Sequence, residues 1–393
     1  MPGAVGRRTR PGIGTLYITA LSTATAIAAA TGAWRGGEQS WLASVPVALL
    51  AGDARSPGTT GDATVELLGN LAEALPFGTR DHRLKTESDV YRDTRKLLPR
   101  RFHTYEAKRF VVLSDAAPGW SRKQVQLLDR TYHQFNRFTK RLGLKPRPLR
   151  HKLVCVLFQE HDDYRRFAGK RDGVTAEWIS GYYSPKHDRI VFYNIETNPE
   201  LVEALRASNS APRLTDSIAG YARPARSGLR NEYRKAATAT VVHEAVHQLA
   251  FHTRIQSPHI QNPLWLSEGL ATAFETDHPD QSFGPDRPYH LRETQFQEIL
   301  EQDKLVPLRD LVTYSRMPDN TDDTISAVYH ESYALITWMS RFRREELREL
   351  MDALRNEPPG RPTPQRQLQI FEQAFGDVDR LERLWLRYES RED

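Results

Sequence analysis

The spacing of apolar residues divides the chain into an early part that predicts strands and a later part that predicts helices. Two apolar runs, at residues 110–113 and Leu153–Phe158, are typical of buried strands. Turn-forming residues at 184–188 separate the segments 181–183 and 189–193, which predicts a β-hairpin. We therefore expect an α+β fold, in which a small mixed or antiparallel sheet with an edge hairpin precedes a mainly helical part. Apolar residues of that later part recur at helical spacing over residues 291–300, 323–341, 344–355, 368–375 and 381–388.

The amino terminus has the pattern of an export signal. Arg7, Arg8 and Arg10 precede residues 11–34, which carry no charge and contain a run of small residues that ends near Ala33. This pattern predicts a secretory signal peptide over residues 1–33, with an uncleaved signal anchor as the alternative. We therefore expect an exported protein, periplasmic, secreted or anchored in the envelope, that touches a membrane only through this segment if the segment is retained.

The rest of the chain is expected to fall into three parts. Residues 34–100 predict a flexible spacer with one short helix at 65–75. Residues 101–198 predict an α/β subdomain that contains the hairpin. Residues 199–393 predict a helical subdomain that contains the candidate functional site. Within the α/β subdomain, Ser121 is placed to cap the helix that follows the first apolar run.

Composition excludes several classes of protein. The 393 residues carry a formal net charge of +5, with 39% hydrophobic and 27% charged residues, as is usual for a globular chain. Basic residues are scattered among acidic ones and no RNA-binding or zinc-finger motif is present, so we expect no nucleic acid partner. Cys155 is the only cysteine, so an internal disulfide is excluded. Nothing in the sequence specifies an oligomeric state.

The segment His243-Glu244-Ala245-Val246-His247 holds the candidate chemistry of the chain. Residues 235–254 contain no Gly or Pro and are rich in Ala, which predicts a helix. Residues four apart on a helix lie one turn apart on the same face, so His243 and His247 could share one Zn²⁺. Glu244 could then orient and deprotonate the attacking water. The segment predicts metal-assisted hydrolysis; the alternative is a surface helix that carries two histidines by coincidence.

A third ligand is expected, because catalytic zinc takes three protein ligands and keeps one position for water. His252 follows His243 by nine residues and would lie on the far side of the helix, so we interpret it as a surface or core histidine. Glu268 lies between apolar residues in a second predicted helix that opens at Pro263, and an unpaired carboxylate there would be costly. We therefore expect Glu268 to bind the metal, with a solvated carboxylate as the alternative.

Two further residues share the predicted helical face of Glu268. Thr272 and Glu275 follow it by four and seven residues. Either could hydrogen-bond a histidine ligand from outside the metal's own ligand set.

The histidine segment followed by Trp265-Leu266-Ser267-Glu268-Gly269-Leu270-Ala271 resembles the gluzincin zinc peptidases of the peptidase-MA-like superfamily. The resemblance spans about residues 101–388 and is specific at these two motifs. It implies a zincin-like catalytic subdomain in which His243, His247 and Glu268 bind one zinc ion and Glu244 is the general base. Residues 329–335 are also similar to a bacterial branch of secreted, largely uncharacterised proteins. Thr272 departs from the thermolysin-like pattern, which has an acidic residue there.

Transition-state stabilisation needs one more hydrogen-bond donor for the developing oxyanion. Tyr329, His330 and Tyr333 lie on the helix predicted over residues 323–341 and are the candidates. The resemblance implies Tyr329, because related enzymes often use a phenol from a helix after the glutamate ligand. The alternative is that all three side chains pack in the apolar core.

The second strand of the predicted hairpin is the candidate substrate-binding edge. A free strand edge offers main-chain hydrogen bonds to an extended peptide. In gluzincins a strand in this position pairs with the substrate, and the resemblance implies the same here. The alternative is a hairpin that pairs wholly within its own sheet. The residues concerned are Arg189, Ile190, Val191, Phe192 and Tyr193.

Together these features predict a zinc metallopeptidase that acts on a peptide or protein substrate. One alternative is a non-catalytic binding or scaffold module of the envelope with a structural or vestigial metal. Glu244 argues against it, since a structural site needs no base. The other alternative is a zinc hydrolase of a non-peptide amide or ester, which the sequence does not separate from a peptidase.

Overall fold

The computed structural model describes residues 42–43, 87–176, 179–210, 226–316 and 322–390. The predicted signal segment 1–33 and the predicted short helix 65–75 lie outside this part of the chain. The strands are β1 Leu42–Ala43, β2 His103–Glu106, β3 Phe110–Ser114, β4 Leu153–Phe158, β5 Gly181–Ser184 and β6 Arg189–Tyr193. The helices are α1 Glu87–Leu97, α2 Pro118–Arg141, α3 His161–Phe167, α4 Pro199–Ser210, α5 Arg226–His252, α6 Leu264–Thr272, α7 His290–Glu301, α8 Leu308–Leu311, α9 Asp322–Phe342, α10 Arg344–Arg355, α11 Pro364–Phe375 and α12 Val378–Glu389.

The strands form one mixed sheet in the order β1-β5-β6-β4-β3-β2. Strands β3, β4 and β6 run parallel to one another, whereas β2, β5 and β1 pair antiparallel to their neighbours. Strands β3 and β4 are buried along their whole length, as continuous apolar runs in parallel strands usually are. The predicted α+β fold is therefore confirmed, with the helices concentrated in the carboxyl-terminal part of the chain.

The predicted hairpin exists as β5 and β6, but the expected edge position of β6 is wrong. Residues Arg189–Tyr193 pair with β4 on one side and with β5 on the other, so β6 lies inside the sheet. Strand β5 lies nearer the edge, and the two-residue β1 pairs antiparallel along its outer side. Leu42 lies opposite Tyr183, and Ala43 lies opposite Tyr182.

Two predictions for the amino-terminal half need correction. Helix α2 begins at Pro118, which is favoured at the first helical position, so Ser121 lies inside the helix rather than at its cap. The Ser121 hydroxyl instead lies 2.9 Å from that of Ser114 in β3. Helix α1 falls within the predicted spacer, and its Val90 is buried against β3 and β4. The segment from residue 87 to residue 100 is therefore part of the folded protein.

The five predicted later helices are confirmed as α7, α9, α10, α11 and α12. The last two begin earlier than predicted, because Thr363 and Asp377 accept hydrogen bonds from the main-chain N–H groups of Arg366 and Arg380. Within the described ranges, no helix is both long and apolar enough to cross a membrane.

Helix α5 is the central element, since it packs against β5 and β6, against α2 and against α6. Helix α6 in turn lies against α9 in unusually close contact. A Cβ atom at Gly269 would lie 2.5 Å from the carbonyl oxygen of Ser332 and 2.8 Å from Cγ1 of Ile336. The larger hydrophobic cluster of the described residues runs from Leu98 to Trp385 and includes side chains from both sides of residue 198.

Candidate metal centre

Helices α5 and α6 bring His243, His247 and Glu268 to one point. The Nε2 atoms of the two histidines are 3.1 Å apart. Oε2 of Glu268 lies 3.3 Å from Nε2 of His243, and Oε1 lies 3.7 Å from Nε2 of His247. Ligands of a tetrahedral zinc ion with bonds of about 2.0–2.1 Å lie about 3.3–3.4 Å apart, so the separations match a single ion. The Ala-rich sequence of α5 and the i, i+4 spacing give this geometry directly.

The chemistry of these atoms also fits a cation. All three side chains are buried, and Oε2 of Glu268 makes no hydrogen bond. A buried carboxylate oxygen without a partner is unfavourable, and so are two ring nitrogens that face each other without a proton or ion between them. A divalent ion at the common point would satisfy all of these atoms, so this group could hold a metal.

The electrostatics of the centre favour positive charge. Burial alone would lower the pKa of His243, but contacts with Glu268 and Glu275 raise it to about 10. Burial alone would raise the pKa of Glu268, but the charges of His247 and His243 and their close approach to its carboxylate lower it to about 2. The carboxylates therefore stay ionised and stabilise a proton or a metal ion between the ligand atoms.

Glu275 lies behind His243, as expected for a residue that supports a ligand. Its Oε1 is 2.9 Å from Nδ1 of His243. Arg292 of α7 donates to both carboxylate oxygens, from Nε to Oε2 over 2.8 Å and from Nη2 to Oε1 over 3.0 Å. Burial would raise the pKa of Glu275, but Arg292 and His243 lower it to about 2. An ionised Glu275 holds a proton on Nδ1 of His243, so Nε2 is the ring nitrogen that faces Glu268 and His247 and could bind a metal.

Thr272 does not take the other expected position. Its hydroxyl donates to the carbonyl oxygens of Glu268 and Gly269, over 2.8 and 3.1 Å, one turn back in the same helix. A buried threonine on a helix often satisfies its hydroxyl in this way. The interpretation of Thr272 as a partner of a histidine ligand is therefore wrong.

Glu244 is fully buried and oriented by the sheet. Its Oε2 accepts a hydrogen bond of 2.7 Å from the main-chain N–H of Tyr183 in β5. The candidate base thus lies between the metal-binding face of α5 and the strand next to the sheet edge.

The three candidates on α9 have different surroundings. Burial, followed by the charges of Glu268 and Glu244, raises the pKa of Tyr329 well above its usual value, so this phenol keeps its proton. His330 lies 3.4 Å from Nη1 of Arg292, and burial together with that charge lowers its pKa to about 3. The Tyr333 hydroxyl accepts a hydrogen bond of 3.0 Å from the main-chain N–H of Tyr289. Of the three, Tyr329 is the one whose pKa the charges of Glu268 and Glu244 raise.

The residues of β6 have roles inside the protein. Arg189 forms a buried ion pair with Asp172, and Ile190 and Val191 are completely buried. Phe192 and Tyr193 line a cavity of about 510 Å³ between α2 and α5, together with residues such as Trp120 and Thr238. None of the predicted metal ligands lines that cavity.

Sequence reasoning missed two residues at the centre, Arg292 and Tyr183. Arg292 lies in the first turn of α7, in a segment without a recognisable motif. Only the tertiary structure brings it into contact with Glu275. Tyr183 acts through its main-chain N–H, which no side-chain pattern reports. The hairpin prediction did place Tyr183 on the strand before the metal helix, which was the available signal.

One family model matches part of the chain, residues 237–360, and its description is "Protein of unknown function (DUF1570)". No curated protein matches the sequence. The matched span contains both histidines, Glu244, Glu268 and Tyr329. In the region that carries its candidate metal centre, the chain is thus similar to this family of unknown function.

Proposed function

We propose that the protein is a zinc metallopeptidase of the gluzincin type. The single observation that carries the proposal is the convergence of His243, His247 and Glu268 on one buried point with Glu244 beside them. Two imidazoles and one carboxylate are the ligand set of many catalytic zinc sites, which keep a fourth position open. Only one ion is needed for this chemistry.

When bound there, zinc would act as a Lewis acid and lower the pKa of water to about 7. Glu244 accepts the proton of the attacking water and transfers it to the leaving amine. The N–H of Tyr183 fixes the orientation of the Glu244 carboxylate for both transfers. Tyr329 keeps its phenolic proton and donates a hydrogen bond to the developing oxyanion.

A peptide substrate is favoured over other amides and esters by the outer side of β5. Strand β1 shows that an extended segment can pair antiparallel there, opposite Tyr182 and Tyr183. Tyr183 is the residue whose N–H holds Glu244, so a peptide paired along this strand would run past the base. We therefore propose β5, rather than β6, as the strand that binds the substrate.

A non-catalytic scaffold would have no use for the arrangement around Glu244. Burial of a carboxylate is costly, and Glu244 is completely buried beside the ligands. We also propose that the protein is exported, on the basis of the charge and apolar pattern of residues 1–33.

The proposal is tested with the full chain, loaded with zinc and incubated with a mixed peptide library that is read by mass spectrometry. Cleavage should stop with a chelator and return with added zinc. Glu244→Gln keeps the acceptor for the Tyr183 N–H, so it should bind zinc normally and lose about 10²–10⁴-fold in turnover. Glu301→Gln, at an exposed position at the end of α7, is the matched control and should leave turnover unchanged.

Two results would contradict the proposal. Full activity in Glu244→Gln would remove the base from the mechanism. Chelator-sensitive hydrolysis of simple esters without any peptide cleavage would favour the non-peptide alternative.

A further inference from the structure

A second group of metal-ligand side chains lies at the carboxyl-terminal end of α5. His252 is the last residue of α5, Asp188 lies in the turn between β5 and β6, and His151 precedes β4. One ligand atom from each residue lies within 4.8 Å of the others. Nε2 of His252 is 2.6 Å from Oδ1 of Asp188, and Nε2 of His151 is 3.9 Å from Oδ2. From the sequence, neither His151 nor Asp188 is predicted to bind a metal, and His252 is interpreted as a surface or core histidine.

Hydrogen bonding alone does not satisfy this cluster. The side chains of His151, Asp188 and His252 are 10%, 11% and 3% exposed. Nε2 of His151 is buried and makes no hydrogen bond, since its distance of 3.9 Å to Asp188 is too long for one. An unpaired buried ring nitrogen is unfavourable, and here it faces a carboxylate that already contacts a second imidazole.

We propose that His151, Asp188 and His252 bind a second divalent metal ion of the zinc class. Two imidazoles and one carboxylate suit zinc, and the distances of 2.6 and 3.9 Å each differ by about 0.5–0.8 Å from the separation of about 3.3–3.4 Å between zinc ligands, which small side-chain rotations can supply. The end of a helix also favours positive charge. Asp188 has φ 52°, a conformation that Asp adopts more readily than most residues.

The second ion has a structural role. It joins the segment before β4, the β5–β6 turn and the end of the helix that carries the first centre. Tyr183 connects the second site with the first centre, because its hydroxyl donates to Oδ1 of Asp188 over 3.2 Å and its N–H donates to Glu244. The second ion thus fixes the strand that orients the candidate base.

The charge around the second site sets its affinity relative to the first. Arg150 and Arg254 adjoin the site in the sequence, and the main-chain N–H of Arg147 donates to the carbonyl of Thr253, next to His252. Cations nearby oppose binding of a divalent ion, whereas the first centre has Glu244, Glu268 and Glu275 around its histidines. The second site should therefore bind zinc more weakly than the first.

Zinc content measured by elemental analysis, after equilibrium dialysis of the full chain at a series of free zinc concentrations, tests the inference. The wild-type protein should bind two equivalents, one tighter than the other. Asp188→Asn should lose the weaker equivalent and keep the backbone conformation, because Asn also tolerates positive φ. His151→Gln should lose the same equivalent, and His247→Ala should lose only the tighter one. His187→Ala, in the same turn, is the control and should retain both.

The readout is metal content, so the result does not depend on whether the protein is a peptidase. One equivalent in the wild type that disappears in His247→Ala would overturn the inference, and so would two equivalents retained in both Asp188→Asn and His151→Gln. Either outcome would leave the cluster as a hydrogen-bonded contact only. Circular dichroism of each variant confirms that the lost equivalent does not reflect unfolding.

Discussion

Nδ1 of His243 lies 2.9 Å from Oε1 of Glu275, and Arg292 donates to both oxygens of that same carboxylate. These hydrogen bonds form a buried chain from the guanidinium of Arg292 through the carboxylate of Glu275 to the imidazole of His243. It fixes the tautomer and the ring orientation of His243 without touching the point where the three ligand atoms meet. Support of this kind raises the basicity of a metal-binding histidine.

Glu275→Gln should weaken zinc binding by about 10–100-fold. The amide can still accept the hydrogen bond from His243, but it carries no charge to hold the Nδ1 proton or to pair with Arg292. Competition with a chromophoric chelator measures the affinity. Glu301→Gln serves as the control, and an unchanged affinity in Glu275→Gln would show that Glu275 is only a packing residue.

Tyr329→Phe should lower kcat by about 10²–10³-fold with little change in zinc content, because it removes one hydrogen-bond donor from the oxyanion. Tyr333→Phe is the matched comparison on the same helix. Its hydroxyl accepts the hydrogen bond of Tyr289, so its loss should lower the unfolding temperature rather than kcat. Equal kcat values for the two variants would argue against a role for Tyr329 in the transition state.

Gly269→Ala should lower the free energy of unfolding by about 1–3 kcal/mol or more, because the added methyl would lie 2.5 Å from the Ser332 carbonyl oxygen. Gly119→Ala in α2 is the control. A Cβ there meets nothing within 4 Å, so the alanine should stabilise the protein slightly. Urea denaturation gives both values, and an unperturbed Gly269→Ala variant would mean that α6 and α9 can separate freely.

Glu331→Gln should reduce the dependence of stability on pH. Burial raises the pKa of Glu331 to about 8, and its Oε1 accepts a hydrogen bond of 2.7 Å from the N–H of Val306. Between the usual glutamate pKa of about 4.3 and pH 8, the folded protein holds a proton that the unfolded chain has lost. The free energy of unfolding therefore falls as the pH rises through this window.

The glutamine variant keeps the acceptor for Val306 and cannot ionise. Its unfolding temperature should decline less between pH 5 and pH 8.5 than that of the wild type, and the variant should be the more stable protein at the upper end. Exposed Glu349→Gln should follow the wild-type curve. Identical curves for all three proteins would place the ionisation of Glu331 outside this range.

Replacement of both Leu42 and Ala43 by proline should lower KM for peptide substrates, with kcat and zinc content unchanged. Proline has no N–H and cannot pair with β5, so the outer side of that strand would be open to substrate. Steady-state kinetics on one peptide from the library gives both constants. An unchanged KM would mean that β1 and the substrate do not compete.

Local features of the sequence predicted that the candidate ligands His243, His247 and Glu268 would come together, because one helix turn and one short apolar helix define their faces. The 3.6-residue period of a helix was enough to predict that His243 and His247 share one face. The cost of an unpaired carboxylate among apolar neighbours was enough to make Glu268 a candidate ligand. Contacts between different helices and strands could not be predicted from such local features. Arg292 meets Glu275 through the packing of α7, and no period in either segment encodes that meeting.

The prediction that β6 lies at the edge of the sheet could have been avoided. Its residues after Arg189 form a continuous apolar run, which is typical of a strand covered on both faces and paired on both sides. Strand β5 is also fully buried, and among the described residues only the two-residue β1 pairs beyond it. The cluster of His151, Asp188 and His252 had no spacing signal, since its members come from three separate segments.

Gly269 ties together two parts of the centre that belong to different helices. It follows Glu268 on α6 and touches the backbone of α9, the helix that carries Tyr329, at Ser332. Any change that widens or tilts this crossing moves Glu268 and Tyr329 at the same time. Evolution or engineering can therefore change the spacing between Glu268 and Tyr329 only if both helices are redesigned together.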